Sequence, residues 1–120
     1  MEKTTLVIGA STKPERYSNM AVKLLRLHGH PVIAIGLREG TIGDVKIVTD
    51  KPQIENLHTI TLYLNPKRQK EYYEYILSLS PQRIIFNPGT ENRELMQMAR
   101  KKGIETVENC TLVMLNSGLF

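Results

Sequence analysis

The sequence predicts a doubly wound α/β fold, a mostly parallel sheet covered by helices on both faces. Two observations carry this expectation. Runs such as Thr5-Leu6-Val7-Ile8, Val32-Ile33-Ala34-Ile35 and Arg83-Ile84-Ile85-Phe86 are apolar at consecutive positions, the signature of strands buried on both faces. Between them stand segments whose apolar residues recur every three or four positions, as in helices that cross from one parallel strand to the next. Right-handed crossovers then make a doubly wound sheet the default.

The elements follow in order. Thr5 to Ile8 is the first strand, and Gly9-Ala10-Ser11 reads as the tight turn leaving it. Thr12 to Tyr17 is a polar loop. Ser18-Asn19 opens a helix, with Ser18 as its N-cap, and Ala21, Val22, Leu24, Leu25 and His28 form its apolar stripe. Gly29 suits a left-handed stop and Pro31 prevents continuation. Val32 to Ile35 is the second strand and ends at Gly36-Leu37. A Gly-rich turn over residues 38–43 leads to the third strand, Val45 to Val48, and Thr49 to Leu57 is a loop.

Thr59 to Leu64 is the fourth strand. Asn65-Pro66 is an N-cap with proline at the first helical position, and the helix runs to Leu79 with Tyr72, Tyr75, Ile76 and Leu79 facing inward. Pro81 precedes the fifth strand, Arg83 to Phe86. Asn87-Pro88-Gly89-Thr90 is a turn whose threonine caps a helix from Glu91 to Lys102, stopped by Gly103. Ile104 to Val107 is the sixth strand, and Cys110 to Leu115 a short last helix. The expected strand order is 3-2-1-4-5-6, with the switch point between the first and fourth strands. Ligands of such sheets bind there, outside the carboxyl ends of the strands.

Composition bounds the function classes. The 120 residues make one domain, large enough to bury roughly two-thirds of the unfolded surface. The single cysteine, Cys110, cannot form an internal disulfide, and the start Met1-Glu2-Lys3-Thr4 has no apolar leader. No apolar run approaches the ~20 residues of a membrane span. A cytoplasmic location and no membrane partner are expected. The net charge of +4 comes from scattered basic residues, without the basic, aromatic-laced strands of a single-strand binder. A polyanionic small ligand suits it better than nucleic acid.

Several nucleotide-handling classes lose their central residues. After Gly9 the loop reads Ala10-Ser11-Thr12-Lys13-Pro14, so G-x-G-x-x-G is absent, and Gly36-Leu37-Arg38 stands where a dinucleotide fold places its ribose-binding acid. No G-x-x-x-x-G-K-[ST] occurs, and no strand ends in a phosphoacceptor aspartate. His28 and His30 lie at a helix end with no cysteine or carboxylate cluster to complete a metal site, and His58 is isolated. Met96, Met98 and Met114 read as helix-packing residues.

What remains is a series in order: Gly9-Ala10-Ser11, Pro14-Glu15-Arg16-Tyr17-Ser18-Asn19, Asn65-Pro66, Asn87-Pro88-Gly89-Thr90-Glu91-Asn92, and Glu108-Asn109-Cys110-Thr111-Leu112-Val113-Met114. Across essentially the whole chain this series resembles the small stand-alone CoA-binding proteins, whose fold is that of the N-terminal domain of the succinyl-CoA synthetase α subunit. The resemblance implies a Rossmann-like domain that binds coenzyme A and has no established catalytic centre. One departure is local: similar proteins end the second strand in a Pro-x-Asn-Pro-like turn, and this chain has Gly36-Leu37-Arg38-Glu39-Gly40.

Coenzyme A carries a pyrophosphate and a 3′-phosphate at one end and an uncharged pantetheine arm at the other. The Ser11 hydroxyl, the Ala10 and Ser11 amides beside Gly9, and the helix start at Tyr17-Ser18-Asn19 could hold the pyrophosphate. Lys13, Arg16 or Arg38, beside Gly36 and Leu37, could pair with the 3′-phosphate. Asn65, Pro66, Asn87, Pro88 and Gly89 could line the remaining strand ends, where the adenine or the arm passes. The expectation is a non-catalytic module binding coenzyme A or an acyl-CoA, with no metal and with the protein partner unassigned. The rival expectations are an NAD(P)-binding oxidoreductase-type module and an interaction subunit with a vestigial pocket. Cys110 has no adjacent activating group, so it reads as a small packing residue, with a mixed disulfide to coenzyme A as the minor alternative.

Overall fold

A computed structural model describes residues 2–120; Met1 lies outside the described residues. The strands are β1 (Thr5–Ala10), β2 (Val32–Gly36), β3 (Gly40–Ile42), β4 (Val45–Val48), β5 (Thr59–Leu62), β6 (Arg83–Phe86) and β7 (Glu105–Glu108). They form one sheet of order β3-β4-β2-β1-β5-β6-β7, parallel except for the β3–β4 pair. The six strands expected from sequence stand in the expected order, and the switch point lies between β1 and β5.

The helices are α1 (Tyr17–Leu27), α2 (Pro66–Gln69), α3 (Tyr73–Leu79), α4 (Arg93–Lys101) and α5 (Thr111–Ser117). Side chains alternate across the sheet into two cores. Leu6, Ile8, Ile60, Leu62, Ile84 and Phe86 pack toward Ile76 and Leu79 of α3 and Leu95 and Ala99 of α4. Val7, Ala34 and Ile47 pack toward Val22 and Leu25 of α1 and Leu115 of α5. Each fully buried Leu or Ile contributes roughly 1.5–3 kcal/mol, so these two layers hold the sheet from both sides.

Five local expectations are corrected. Gly9 does not leave the strand: β1 continues to Ala10 through a bulge at Gly9, whose φ of +101° is a left-handed-side conformation that glycine adopts freely. Residues 40–42 are not a plain turn but the edge strand β3, which folds back on β4 as a hairpin. The N-cap of α1 is Arg16 rather than Ser18, because a turn from Lys13 (Arg16 N–H to Lys13 carbonyl, 3.1 Å) starts the helical backbone two residues earlier. Ser18 is buried inside the first turn. The helix expected from Pro66 to Leu79 is broken by a 3₁₀ turn, Lys70–Tyr72. Finally, Asn92 rather than Thr90 caps α4: its Oδ1 accepts from the Leu95 N–H at 3.1 Å, while the Thr90 hydroxyl is spent on the Asn87 carbonyl at 2.7 Å.

Candidate functional site

The carboxyl ends of β1, β2 and β5 surround a cleft of about 350 Å³. Its floor is Gly9-Ala10-Ser11, its near walls are Thr12, Lys13 and Arg16, and its far walls are Gly36-Leu37-Arg38 on one side and Leu64, Arg68 and Tyr72 on the other. The backbones meet closely at the floor. A Cβ on Gly36 would lie 2.4 Å from the Ala10 carbonyl oxygen, and one on Gly9 would lie 3.0 Å from the Tyr63 carbonyl group. Only residues without side chains let β2 and the β5 end approach the loop this far.

The loop is braced from within. The Ser11 Oγ accepts from the Lys13 N–H at 3.1 Å, and Asn19 donates its Nδ2 to the Ser11 carbonyl at 2.9 Å. Asn19 is itself buried, and its Oδ1 has no partner among the described residues. Its role is to tie the loop to α1 from beneath. The start of α1 has no side-chain cap and no acidic residue in its first turn. The first N–H groups of this 11-residue helix are therefore free, and its positive dipole end is uncompensated.

Charge at the cleft is one-sided. Lys13, Arg16, Arg38 and Arg68 line it, and no acidic residue does. None of the four is paired with a carboxylate among the described residues, where the single ion pair is Arg26–Asp44 at 2.9 Å on the far end of α1. A concave site lined by four unpaired cations, and bordered through Arg16 by the amino end of α1, suits a ligand with several negative charges. A second groove, of about 480 Å³ beside α4, sets Arg93 and Arg100 against Glu91 and Glu108 and so neutralises itself.

The expected site residues divide cleanly. Gly9, Ala10, Ser11, Lys13, Arg16, Gly36, Leu37 and Arg38 come together at the cleft. Tyr17, Ser18 and Asn19 do not line it, nor do Asn65, Pro66, Asn87, Pro88 and Gly89. Asn65 is occupied as the α2 cap, its Oδ1 accepting from the Arg68 N–H at 2.9 Å. Asn87 is buried and bonded at both ends of its amide: Nδ2 donates to Thr61 Oγ1 (2.7 Å) and the Leu62 carbonyl (2.8 Å), while Oδ1 accepts from the Thr111 N–H (2.9 Å). It pins β5, β6 and α5 together, with both Nδ2 hydrogens spent and the side chain buried away from the cleft. The Tyr63 hydroxyl is buried beside this network without a partner, since Thr61 and Thr111 bond each other at 2.7 Å. Burial pushes its phenol up to about 12, so it stays neutral.

Thr12, Tyr63, Leu64, Arg68 and Tyr72 also line the cleft without having been assigned a ligand contact from sequence; of these, Arg68 and Tyr72 bring a charge and a partly exposed aromatic edge to its wall. The signal was present in their i, i+4 spacing on the helix that leaves β5 at the switch point. Cys110 is half-buried at the start of α5 and is not part of the cleft lining.

Comparison with known proteins decides the family. Residues 3–116 match the family described as CoA binding domain. The chain belongs to the CoA-binding domain family. Its fold recurs in a crystal structure of an uncharacterized protein that is 47% identical, with TM-score 0.97, covering 100% of this chain and 99% of that one. A hypothetical protein from Pyrococcus horikoshii OT3 is 26% identical, with TM-score 0.86 over 98% of this chain and 83% of that one. An oxidoreductase from Bacillus cereus, 16% identical with TM-score 0.60, covering 88% of this chain and 34% of that one, shares the fold alone. No curated protein sequence matches the chain. Among the described residues of this CoA-binding domain, no helix is long and apolar enough to cross a membrane, and no group of three or more His, Cys, Asp or Glu side chains could hold a metal.

Proposed function

We propose that this domain binds coenzyme A, free or acylated, at the carboxyl ends of β1, β2 and β5, and that it works as a binding module without catalysing a reaction. The observation that carries the reading is the set of four unpaired cations, Lys13, Arg16, Arg38 and Arg68, around a cleft that the amino end of α1 borders through Arg16. Coenzyme A presents a diphosphate and a further phosphate close together, which matches that charge. The diphosphate belongs at the α1 end over Gly9 to Ser11, with Lys13 and Arg16 closing on it. The cleft is at the small end of ligand pockets, which run roughly 300–1,000 Å³. It suits the phosphorylated nucleotide end, and the pantetheine arm then runs out along the strand ends.

Absence of catalysis rests on the lining chemistry. The cleft holds cations, hydroxyls and apolar side chains but no carboxylate, imidazole or thiol to move a proton or attack a thioester. The test is a thermal melt with added ligand, since a compound that binds only the folded chain raises the melting temperature by mass action. Coenzyme A is expected to raise it more than NADH or NADPH at equal concentration. A larger shift with either nicotinamide nucleotide would overturn the assignment.

A further inference from the structure

The two faces of the sheet are finished differently. Among the described residues, the large hydrophobic side chains left exposed are Tyr17, Met20, Leu27, Leu37, Val113 and Leu119. Apart from Leu37 at the cleft rim, all of them lie on α1, on α5 or just after it, and α2, α3 and α4 expose none. α1 and α5 pack side by side on one face of the sheet. We infer that this face docks a second copy of the chain, with α1 of one copy running antiparallel to α1 of the other across a two-fold axis.

α1 carries two apolar stripes. Ala21, Val22 and Leu25 are buried beneath it. A second stripe, Tyr17, Met20, Leu24 and Leu27, faces outward, with Tyr17 70%, Met20 38% and Leu27 81% exposed and Leu24 partly buried. Covering the sheet needs only the first stripe. The outer one is spaced three, four and three residues apart, as in the seam of a coiled coil. That spacing is its own complement when reversed. In an antiparallel pair centred at the level of Val22, Tyr17 of one copy faces Leu27 of the other and Met20 faces Leu24. The same register sets Lys23 against Ala21 and Arg26 against Ser18, so no two lysine or arginine side chains of α1 are opposed. Arg26 is already paired with Asp44, and α5 has no charged residue. A charge-poor apolar face is the composition of a homodimer contact. The two-fold axis that reverses α1 keeps α5 opposite α5, which brings Val113 and Leu119 to the same contact. The exposed parts of these side chains amount to roughly 500 Å², more than half of the roughly 800 Å² that each partner buries in a standard interface. Reversal also puts the two clefts at opposite ends of the pair, so pairing and ligand binding are separable.

Sedimentation equilibrium of the full chain at tens of micromolar tests the pairing. Wild type is expected at twice the chain mass. Leu27→Lys, a change at the most exposed stripe position and at the α1 end away from the cleft, is expected to halve that mass while circular dichroism reports a folded chain. Oxidative cross-linking in a Cys110→Ser background tests the register. Tyr17→Cys combined with Leu27→Cys is expected to give a covalent dimer on a non-reducing gel. Either cysteine alone is expected to give none, because reversal holds like positions roughly 15 Å apart along the helix, beyond the reach of a disulfide. Wild type at the single-chain mass throughout would overturn the pairing and leave the face to a different protein. A dimer that folded Leu27→Lys leaves intact would overturn the α1 seam, and a covalent dimer through Leu27→Cys alone would overturn its antiparallel register. None of these readouts involves coenzyme A, so they stand or fall apart from the ligand assignment.

Discussion

The two ends of the sheet both gather positive charge, and they do opposite things with it. At the amino ends, Arg83 of β6 is 7% exposed, its Nε donates to Thr59 Oγ1 at 2.7 Å, and the Phe120 ring covers its guanidinium at 4.3 Å. Lys3, His30 and His58 crowd around it, with the His30 ring 5.0 Å from that of Phe120. At the carboxyl ends, the cations are exposed and stand around an open cleft. Charge density alone does not separate the two. Room does: the amino end is filled by its own phenylalanine, and the carboxyl end has a concave floor of glycine, alanine and serine. A binding site in this fold is marked by unpaired charge beside space that the chain does not fill.

That contrast breaks most sharply on substitution. Arg16→Ala combined with Arg38→Ala is expected to weaken coenzyme A about 100-fold by calorimetry, taking about 1.5 kcal/mol per charge-assisted contact. The melting temperature of the same variant is expected to stay near wild type, because exposed, unpaired cations contribute little to folding. Arg83→Ala inverts this. Losing the buried stem and its stack on Phe120 is expected to cost on the order of 2 kcal/mol of stability by denaturant titration, with coenzyme A affinity unchanged in the folded fraction. Equal effects of both changes on affinity would erase the distinction between the ends.

Acid sharpens it further. The Lys3 N–H donates to His30 Nδ1 at 3.0 Å, a bond that only the neutral ring accepts. Burial, then the charges of Lys3 and its neighbours, hold His30 below its ordinary 6.5, and burial and Arg83 do the same for His58. Both rings take up their protons at lower pH in the folded chain than in the unfolded one. The contribution of these two rings to stability is therefore expected to be flat above neutral pH and to fall as pH drops through about 6.5. His30→Gln is expected to flatten that slope, and an unchanged slope in chemical denaturation would contradict it.

The smallest expected effect is none at all. Cys110→Ser is expected to bind coenzyme A as wild type does, because the thiol does not line the cleft. The purified protein is expected to leave acetyl-CoA intact at the uncatalysed rate. Thioester turnover that disappears in Cys110→Ser would overturn both statements.

The fold was legible where burial is two-sided. Strands such as Leu6-Val7-Ile8 and Ile84-Ile85-Phe86 carry apolar side chains to both cores, so their type and the sheet order follow from pattern. Gly40-Thr41-Ile42 was not legible, because an edge strand in a hairpin needs only one buried face and its glycine reads as a turn. The break at Lys70–Tyr72 was hidden for a different reason: those residues are good helix formers locally, and tertiary anchoring by Lys51 decides their conformation.

The site was half legible on the same logic. Residues adjoining the β1 loop came together because the switch point fixes that corner. Asn87-Pro88-Gly89 stand apart from the cleft because β6 is separated from β1 by β5, and the Asn87 amide helps pin α5. Tyr72 was correctly read as turned inward, yet an inward ring beside a cleft can be wall as well as core.

The central claim is that phosphates sit over the Gly9-Ala10-Ser11 floor. Ser11→Ile places a branched side chain where the diphosphate must approach, at a position the two cores do not use. Calorimetric titration with coenzyme A, run beside circular dichroism, is predicted to show a wild-type complex and at least a tenfold loss in a folded Ser11→Ile protein. A folded Ser11→Ile protein with unchanged affinity would contradict the account and move the phosphate site elsewhere.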